Sequence, residues 1–122
     1  MPNQPLTKKI ERGAVMLVPF PNTDLRTAKL RPALIVQADD LGTDLAQVVL
    51  AMISSNLKRA NHQSRVLIEA KSEQGKQSGL LFDSVVMTDN LATILLTTVS
   101  RVIGKLEEMS EVDDALRRTL GL

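Results

Sequence analysis

The chain has 122 residues with a formal net charge of +1, and it contains no cysteine, tryptophan or tyrosine. Its length fits one domain, residues 1–122, large enough to bury about two thirds of its unfolded surface. The absence of cysteine excludes disulfides, thiolate catalysis and Cys-based metal sites. The charge is uneven: residues 1–65 hold nine Lys/Arg against five Asp/Glu (+4), and 66–122 hold six against nine (−3). A basic half suggests a polyanionic partner on one face.

The opening Met1-Pro2-Asn3-Gln4-Pro5-Leu6-Thr7-Lys8-Lys9 lacks an apolar segment after its basic pair, so a secretory signal is not expected. The longest apolar runs are far shorter than a membrane span. Together these predict a cytoplasmic protein with no membrane partner. The first strand is predicted over Ala14–Phe20, after Arg12-Gly13 and ended by the Pro21-Asn22-Thr23-Asp24 turn. The next follows Pro32, as Ala33-Leu34-Ile35-Val36. Arg31 precedes that proline and is therefore biased to an extended backbone. A third run, Val48–Ile53, ends at Ser54, and a turn-rich segment, Ala38–Ala46, separates the two. If they pair as an antiparallel hairpin with Gln37 near Gln47, Arg31 lies opposite Ile53 and beside Ser54. A fixed cation and a hydroxyl would share one sheet edge, where a phosphate could be handled.

A polar loop, Ser55–Gln63, leads to the strand Arg65–Glu69. A turn at Gly75 precedes Ser78-Gly79-Leu80-Leu81, and Asp83–Asp89 and Thr97–Gly104 are the last predicted strands. The period then changes. Val112, Ala115, Leu116 and Leu120 share one helical face, with Ser110 as N-cap, Asp113 at the third helical position and Gly121 as the stop. Asp113–Arg117 and Asp114–Arg118 are spaced for i,i+4 ion pairs. The pattern predicts a mainly β, small barrel-like domain with one C-terminal helix.

Phe20 and Phe82 are the only aromatics, so a sheet that stacks several bases is not expected. Phe20 ends a strand near the Arg31 loop and can offer one stacking face. Lys58, Arg59 and Arg65 are candidate phosphate contacts, a positioning role. His62 is the lone histidine and cannot supply an acid and a base together. With no cysteine beside it, no metal site is expected.

Arg12-Gly13, Val18-Pro19-Phe20-Pro21, Leu30-Arg31-Pro32-Ala33-Leu34-Ile35-Val36 and Ala51-Met52-Ile53-Ser54-Ser55 together resemble the MazF/PemK toxins. Gly79-Leu80, Asp83-Ser84-Val85-Val86 and Ile103-Gly104-Lys105-Leu106 extend the resemblance, in family order, from about Glu11 to Leu122. The resemblance implies an SH3-like barrel and a homodimeric toxin of a toxin–antitoxin pair. It implies metal-independent, sequence-specific cleavage of single-stranded RNA, without cofactors. The ribose 2′-hydroxyl attacks the adjacent phosphate, leaving 2′,3′-cyclic phosphate and 5′-hydroxyl ends. It also implies a cognate antitoxin, expected to carry a flexible acidic tail.

Arg31 occupies the family's catalytic arginine position, and Ser54 the position where many members have threonine. Ser55 takes that role if the alignment slips by one. Asp89 falls where some members carry a carboxylate proposed as an acid/base group. The chain departs from the pattern at Met87, where some members have an arginine, in the segment Asn90–Ile94, and in the loop before Arg31, which is not Gly-rich. Two other classes remain open. A CcdB-like toxin acting on gyrase uses a C-terminal tail with tryptophan, whereas this chain ends Arg118-Thr119-Leu120-Gly121-Leu122. A catalytically inactive SH3-like binding module is the other.

Overall fold

A computed structural model describes residues 9–21 and 24–122. The expected turn residues Asn22 and Thr23 lie outside the described residues. The strands are β1 (Ala14–Pro21), β2 (Ala28–Ile35), β3 (Gln47–Ser54), β4 (Arg65–Ile68), β5 (Ser84–Leu95) and β6 (Arg101–Lys105). They form one antiparallel sheet in the order β4-β5-β3-β2-β1-β6. Two helices, α1 (Glu73–Ser78) and α2 (Ser110–Leu120), complete it. The mainly β architecture with a C-terminal helix is the one the sequence predicts.

Both sheet faces are apolar, because side chains alternate along each strand and β2 and β3 are nearly continuous hydrophobic runs. On one face Val15, Leu34, Ala51, Ile53, Val66 and Val86 pack with Val112 and Ala115 of α2. On the other, Met16, Val18, Phe20, Ala33, Ile35, Leu50 and Met52 pack with Ile94, Leu96 and Val102, so the far half of β5 and β6 curl over this face. Each fully buried leucine or isoleucine stabilises the fold by about 1.5–3 kcal/mol. Leu34, Leu50, Ile35 and Ile68 are all in that class.

Breaks in the ladder bend the sheet. Ala51 on β3 pairs with Leu91 on β5, but the next residue, Met52, pairs with Met87. Thr88, Asp89 and Asn90 therefore bulge between the two halves of β5. The buried Thr88 anchors the bulge: its N–H and hydroxyl donate to the Ser64 carbonyl at 3.0 and 2.7 Å, and its oxygen lies 2.8 Å from the Thr119 hydroxyl on α2. The segment Asn90–Ile94 is thus part of a strand of twelve residues rather than the tail of a shorter one.

The hairpin of β2 and β3 forms with a register one residue away from the predicted one. Ala33 pairs with Met52 and Ile35 with Leu50. The N–H groups of Val36 and Gln37 both donate to the Val49 carbonyl at 3.2 Å, and the Gln37 side-chain carbonyl accepts from the Val49 N–H at 3.0 Å. Two residues of β2 oppose one of β3 at this point, a local bulge, and Gln37 meets Val49 rather than Gln47.

The C-terminal helix also differs in its cap. Ser110 is the first helical residue and Met109 precedes it as N-cap, without a side-chain cap bond. The Glu108 carboxylate takes the Ser110 N–H at 2.9 Å, doing locally what a serine cap would have done. Asp113 pairs with Arg12 at 2.6 Å instead of Arg117, Arg117 pairs with Asp114 at 2.9 Å, and the Arg118 Nε donates to the Gln63 carbonyl at 2.9 Å. Gly121 ends the helix with φ of 73°, as expected.

Where the sequence predicts a turn at Gly75, the chain forms α1. The Ser72 hydroxyl oxygen accepts from the Gly75 N–H at 3.0 Å, capping the first turn, and Gly79 stops the helix in the left-handed region (φ 77°). A Cβ at Gly79 would stand 2.2 Å from the Ile103 carbonyl oxygen, so glycine lets α1 press against the edge strand β6. Residues Leu96–Thr98 form a short 3-10 turn, leaving β6 to begin at Arg101 rather than Thr97.

Candidate nucleic-acid interface

The hydrogen-bonding sense of β2 explains where the sheet opens. Val36 donates to β3, so its even-numbered neighbours on β2 face β3 as well. Pro32 is the position whose N–H would meet Ile53, and proline has none. The β2–β3 ladder ends at Ala33–Met52, one residue before it. Continued one step past its end, this register sets Arg31 level with Ser54, not Ile53. Because facing residues share a side of the sheet, Arg31 and Ser54 project to the same face as Ala33 and Met52.

At this opening lies a groove of about 1220 Å3. Its walls come from Lys29–Pro32 on β2, Met52–Asn56 at the end of β3, Arg59, the segment Gly79–Phe82 before β5, and Arg101–Ile103 on β6. Four cations (Lys29, Arg31, Arg59 and Arg101) line it, and no Asp, Glu or His does among the described residues. That combination creates a focused positive potential suited to a polyanion. Asn56 and Asn90 add amide groups, the latter with its Nδ2 3.0 Å from the Met52 sulfur.

Arg31 is half-buried and Ser54 nearly fully buried, 9% exposed. The Ser54 hydroxyl oxygen accepts from the Asn56 N–H at 3.1 Å, and its own proton has no protein acceptor among the described residues. The hydroxyl can therefore donate to a ligand oxygen while the backbone fixes its position. The Asn56 side chain in turn caps the 3-10 turn Leu57–Arg59 by accepting from the Lys58 N–H at 3.2 Å. One short run of sequence, Ser54 to Arg59, delivers a hydroxyl, an amide and a guanidinium to the same wall.

The remaining candidates distribute differently. Ser55 and Arg59 line the groove; Lys58 is exposed and does not. Phe20 reaches the lining but is only 5% exposed, its ring packed into the second core cluster, so it has almost no face to offer a base. Asp89 and Arg65 lie outside the groove lining and grip one another. Arg65 Nε and Nη2 donate to the two carboxylate oxygens at 2.9 and 2.7 Å. The hydrogen bonds from Arg65 hold the Asp89 carboxyl below its ordinary value, with burial acting in the opposite direction. Arg65 Nη1 also donates to the Arg59 carbonyl at 2.9 Å. The pair thus braces the turn that carries Arg59. His62 is exposed, with its Nδ1 2.6 Å from the Ser64 hydroxyl, and no cluster of metal-ligating side chains occurs among the described residues.

The sequence reading missed Lys29, Arg101, Asn56, Asn90 and Phe82. Lys29 was accessible to it, standing two residues before Arg31 and so on the same face of an extended strand. Arg101 enters the groove only through the pairing of β6 with β1, opposite Leu17, and nothing local marks it.

Comparison with known proteins agrees with this architecture. Residues 11–120 match the model of the PemK-like, MazF-like toxin of type II toxin–antitoxin systems. The chain is 33% identical over 105 residues to the endoribonuclease MazF2 of Mycobacterium bovis, covering 84% of this chain and 88% of that protein. The same figures hold for the endoribonuclease MazF6 of Mycobacterium tuberculosis. Its fold is similar to that of a mycobacterial endoribonuclease solved in complex with its cognate antitoxin. The TM-score there is 0.72 at 21% identity, with 93% of this chain and 97% of that one covered. With the family model and two curated relatives spanning most of its length, the chain belongs to the PemK-like, MazF-like toxins of type II toxin–antitoxin systems.

Proposed function

We propose that this chain acts as a single toxin domain, residues 1–122, that cleaves single-stranded RNA endonucleolytically in the cytoplasm. The observation that carries the reading is a groove whose described lining holds four cations and no carboxylate, with Arg31 and Ser54 both on its walls. Such a lining attracts a phosphodiester and repels a divalent cation, which suits a mechanism independent of metal. The 2′-hydroxyl gives its proton to water as its oxygen attacks phosphorus, the P–O5′ bond breaks, the 5′-oxygen takes a proton from water, and the products carry a 2′,3′-cyclic phosphate and a 5′-hydroxyl.

Arg31 holds non-bridging phosphate oxygens and stabilises the charge that grows on them in the transition state. Ser54 donates a further hydrogen bond to the same group, and Ser55 lies beside it. The described lining has no imidazole or carboxylate, and arginine does not surrender its proton in proteins. Rate acceleration is therefore assigned to electrostatic stabilisation and in-line positioning, and Asp89 to bracing rather than proton transfer. Arg59, Lys29 and Arg101 bind flanking phosphates, with Lys58 and Arg65 outside this set. The toxin works as a two-fold dimer and is neutralised by an antitoxin whose acidic tail competes for the cationic groove.

Incubating the pure protein with single-stranded RNA in EDTA and identifying the fragment ends tests the proposal. Cyclic phosphate and 5′-hydroxyl ends are expected. Intact RNA, together with tight binding to a gyrase subunit, would overturn it in favour of a CcdB-like poison.

A further inference from the structure

One of the two aromatic rings in the chain is spent on the core, and the other is not. Phe82 is 69% exposed, an unusual state for phenylalanine, and it lines the cationic groove on the wall formed by Gly79–Phe82. Its neighbour Leu81 is 84% exposed on the same wall. The segment is braced on both sides. Gly79 is wedged against Ile103, the Leu80 N–H donates to the Ser78 hydroxyl at 3.2 Å, the Ser84 hydroxyl donates to the Phe82 carbonyl at 2.7 Å, and the Asp83 carboxylate accepts the Ala70 N–H at 2.8 Å. The ring is thus held at the groove by a backbone already ordered, and little further entropy is lost when a ligand covers it.

We infer that Phe82 is a base-stacking platform, the position where the groove takes up the flat face of one nucleotide base next to the phosphodiester held by Arg31 and Ser54. The inference rests on the proposed action on RNA. Charge complementarity selects the occupant: an apolar ring set among Lys29, Arg31, Arg59 and Arg101 matches a ligand that combines anionic phosphates with π faces. Stacking is tolerant of base identity, so Phe82 supplies grip and orientation, while the amides of Asn56 and Asn90 are among the groove groups able to read a base edge.

The chain has no tryptophan or tyrosine, so Phe82→Trp introduces a single indole whose emission reports on the ring alone. The probe is a short single-stranded RNA made non-cleavable by 2′-deoxy substitution at the scissile nucleotide. It should quench Phe82→Trp emission, and replacing one nucleotide by an abasic site should abolish the quenching. Leu122→Trp, at an exposed position outside the groove, should not respond. In cleavage assays Phe82→Ala should raise KM by about 5- to 150-fold with kcat changed far less, since the stack is made equally in the ground and transition states. Phe82→Leu keeps apolar area but no π face and should resemble Phe82→Ala.

The inference is overturned if wild-type protein cleaves RNA while Phe82→Ala keeps its KM within about twofold, or if Phe82→Leu behaves as wild type. An indole that responds to protein concentration but not to RNA would place Phe82 at a contact between copies and would also overturn it. Failure of the wild-type protein itself to cleave would remove the proposed function, a distinct result.

Discussion

The arginines of this protein serve two regions in opposite ways. Arg12 and Arg65 each meet a carboxylate, Asp113 at 2.6 Å and Asp89 at 2.7 Å, and each also donates to a backbone carbonyl, those of Val36 and Arg59. They act as staples, one tying α2 to the β2–β3 hairpin and the other tying β5 and β4 to the 3-10 turn. Arg31, Arg59 and Arg101, with Lys29, surround a groove whose described lining includes no carboxylate. Identical guanidinium chemistry holds the fold in one place and lines a cationic groove in the other. The neighbouring charge, more than the residue type, sets the role.

The sharpest test of this contrast is at its two extremes. Arg31→Ala should lower RNA cleavage by about 100- to 1000-fold, the usual cost of removing a preorganised donor at developing charge. Circular dichroism and the thermal midpoint should barely move. A variant that cuts within about threefold of wild type would take Arg31 out of the central role. Ser54→Ala should cost less, and unchanged activity there would shift the hydroxyl role to Ser55.

Asp89→Asn breaks a staple. The Asp89 side chain is 35% exposed and that of Arg65 19%, and partly exposed pairs of this kind contribute up to about 1 kcal/mol. Activity should drop by less than tenfold, through a looser Arg59, and denaturant unfolding should show the small loss of stability. A fall of a hundredfold or more in kcat, with stability unchanged, would move Asp89 into the catalytic group and erase the distinction between the regions.

Salt dependence separates the cations within the basic half. For a non-cleavable RNA, log K against log salt should slope negatively by roughly 0.7 per phosphate contacted. Arg59→Gln should flatten the slope by about one contact. Lys58→Gln should flatten it less, because Lys58 lies outside the groove lining. Equal effects would mean that the wall carrying Arg59 extends further than the groove.

The smallest expected effect is in the pH dependence of stability. The fold holds the Asp89 carboxyl below its ordinary value of 3.8, so the fold favours its charged form. The contribution is fully present above that ordinary value and is lost as pH falls through the lower, folded one. Stability attributable to the pair should be flat from pH 8 to 5 and fade only below about 4. Asp89→Asn should reduce the acid-side fade by this pair's share, as read from urea midpoints across that range, since Asp24 and Glu108 are also held below their ordinary values.

Local physics in the sequence determined much of this molecule. Apolar runs bounded by Gly, Pro and Asn marked the strands, helical spacing and Gly121 marked α2, and Pro32 biased Arg31 to extended backbone. Those rules act over a few residues, where chain geometry alone limits the choices. The tertiary structure decided the rest. The β2–β3 register, with Gln37 against Val49 rather than Gln47, set Arg31 level with Ser54 rather than Ile53, Arg65 claimed Asp89 across 24 residues of chain, and the pairing of β6 with β1 carried Arg101 into the groove. The core took Phe20 and left Phe82 at the groove wall. In each case the partner is distant along the chain, and which distant groups meet depends on how two apolar sheet faces are buried at once.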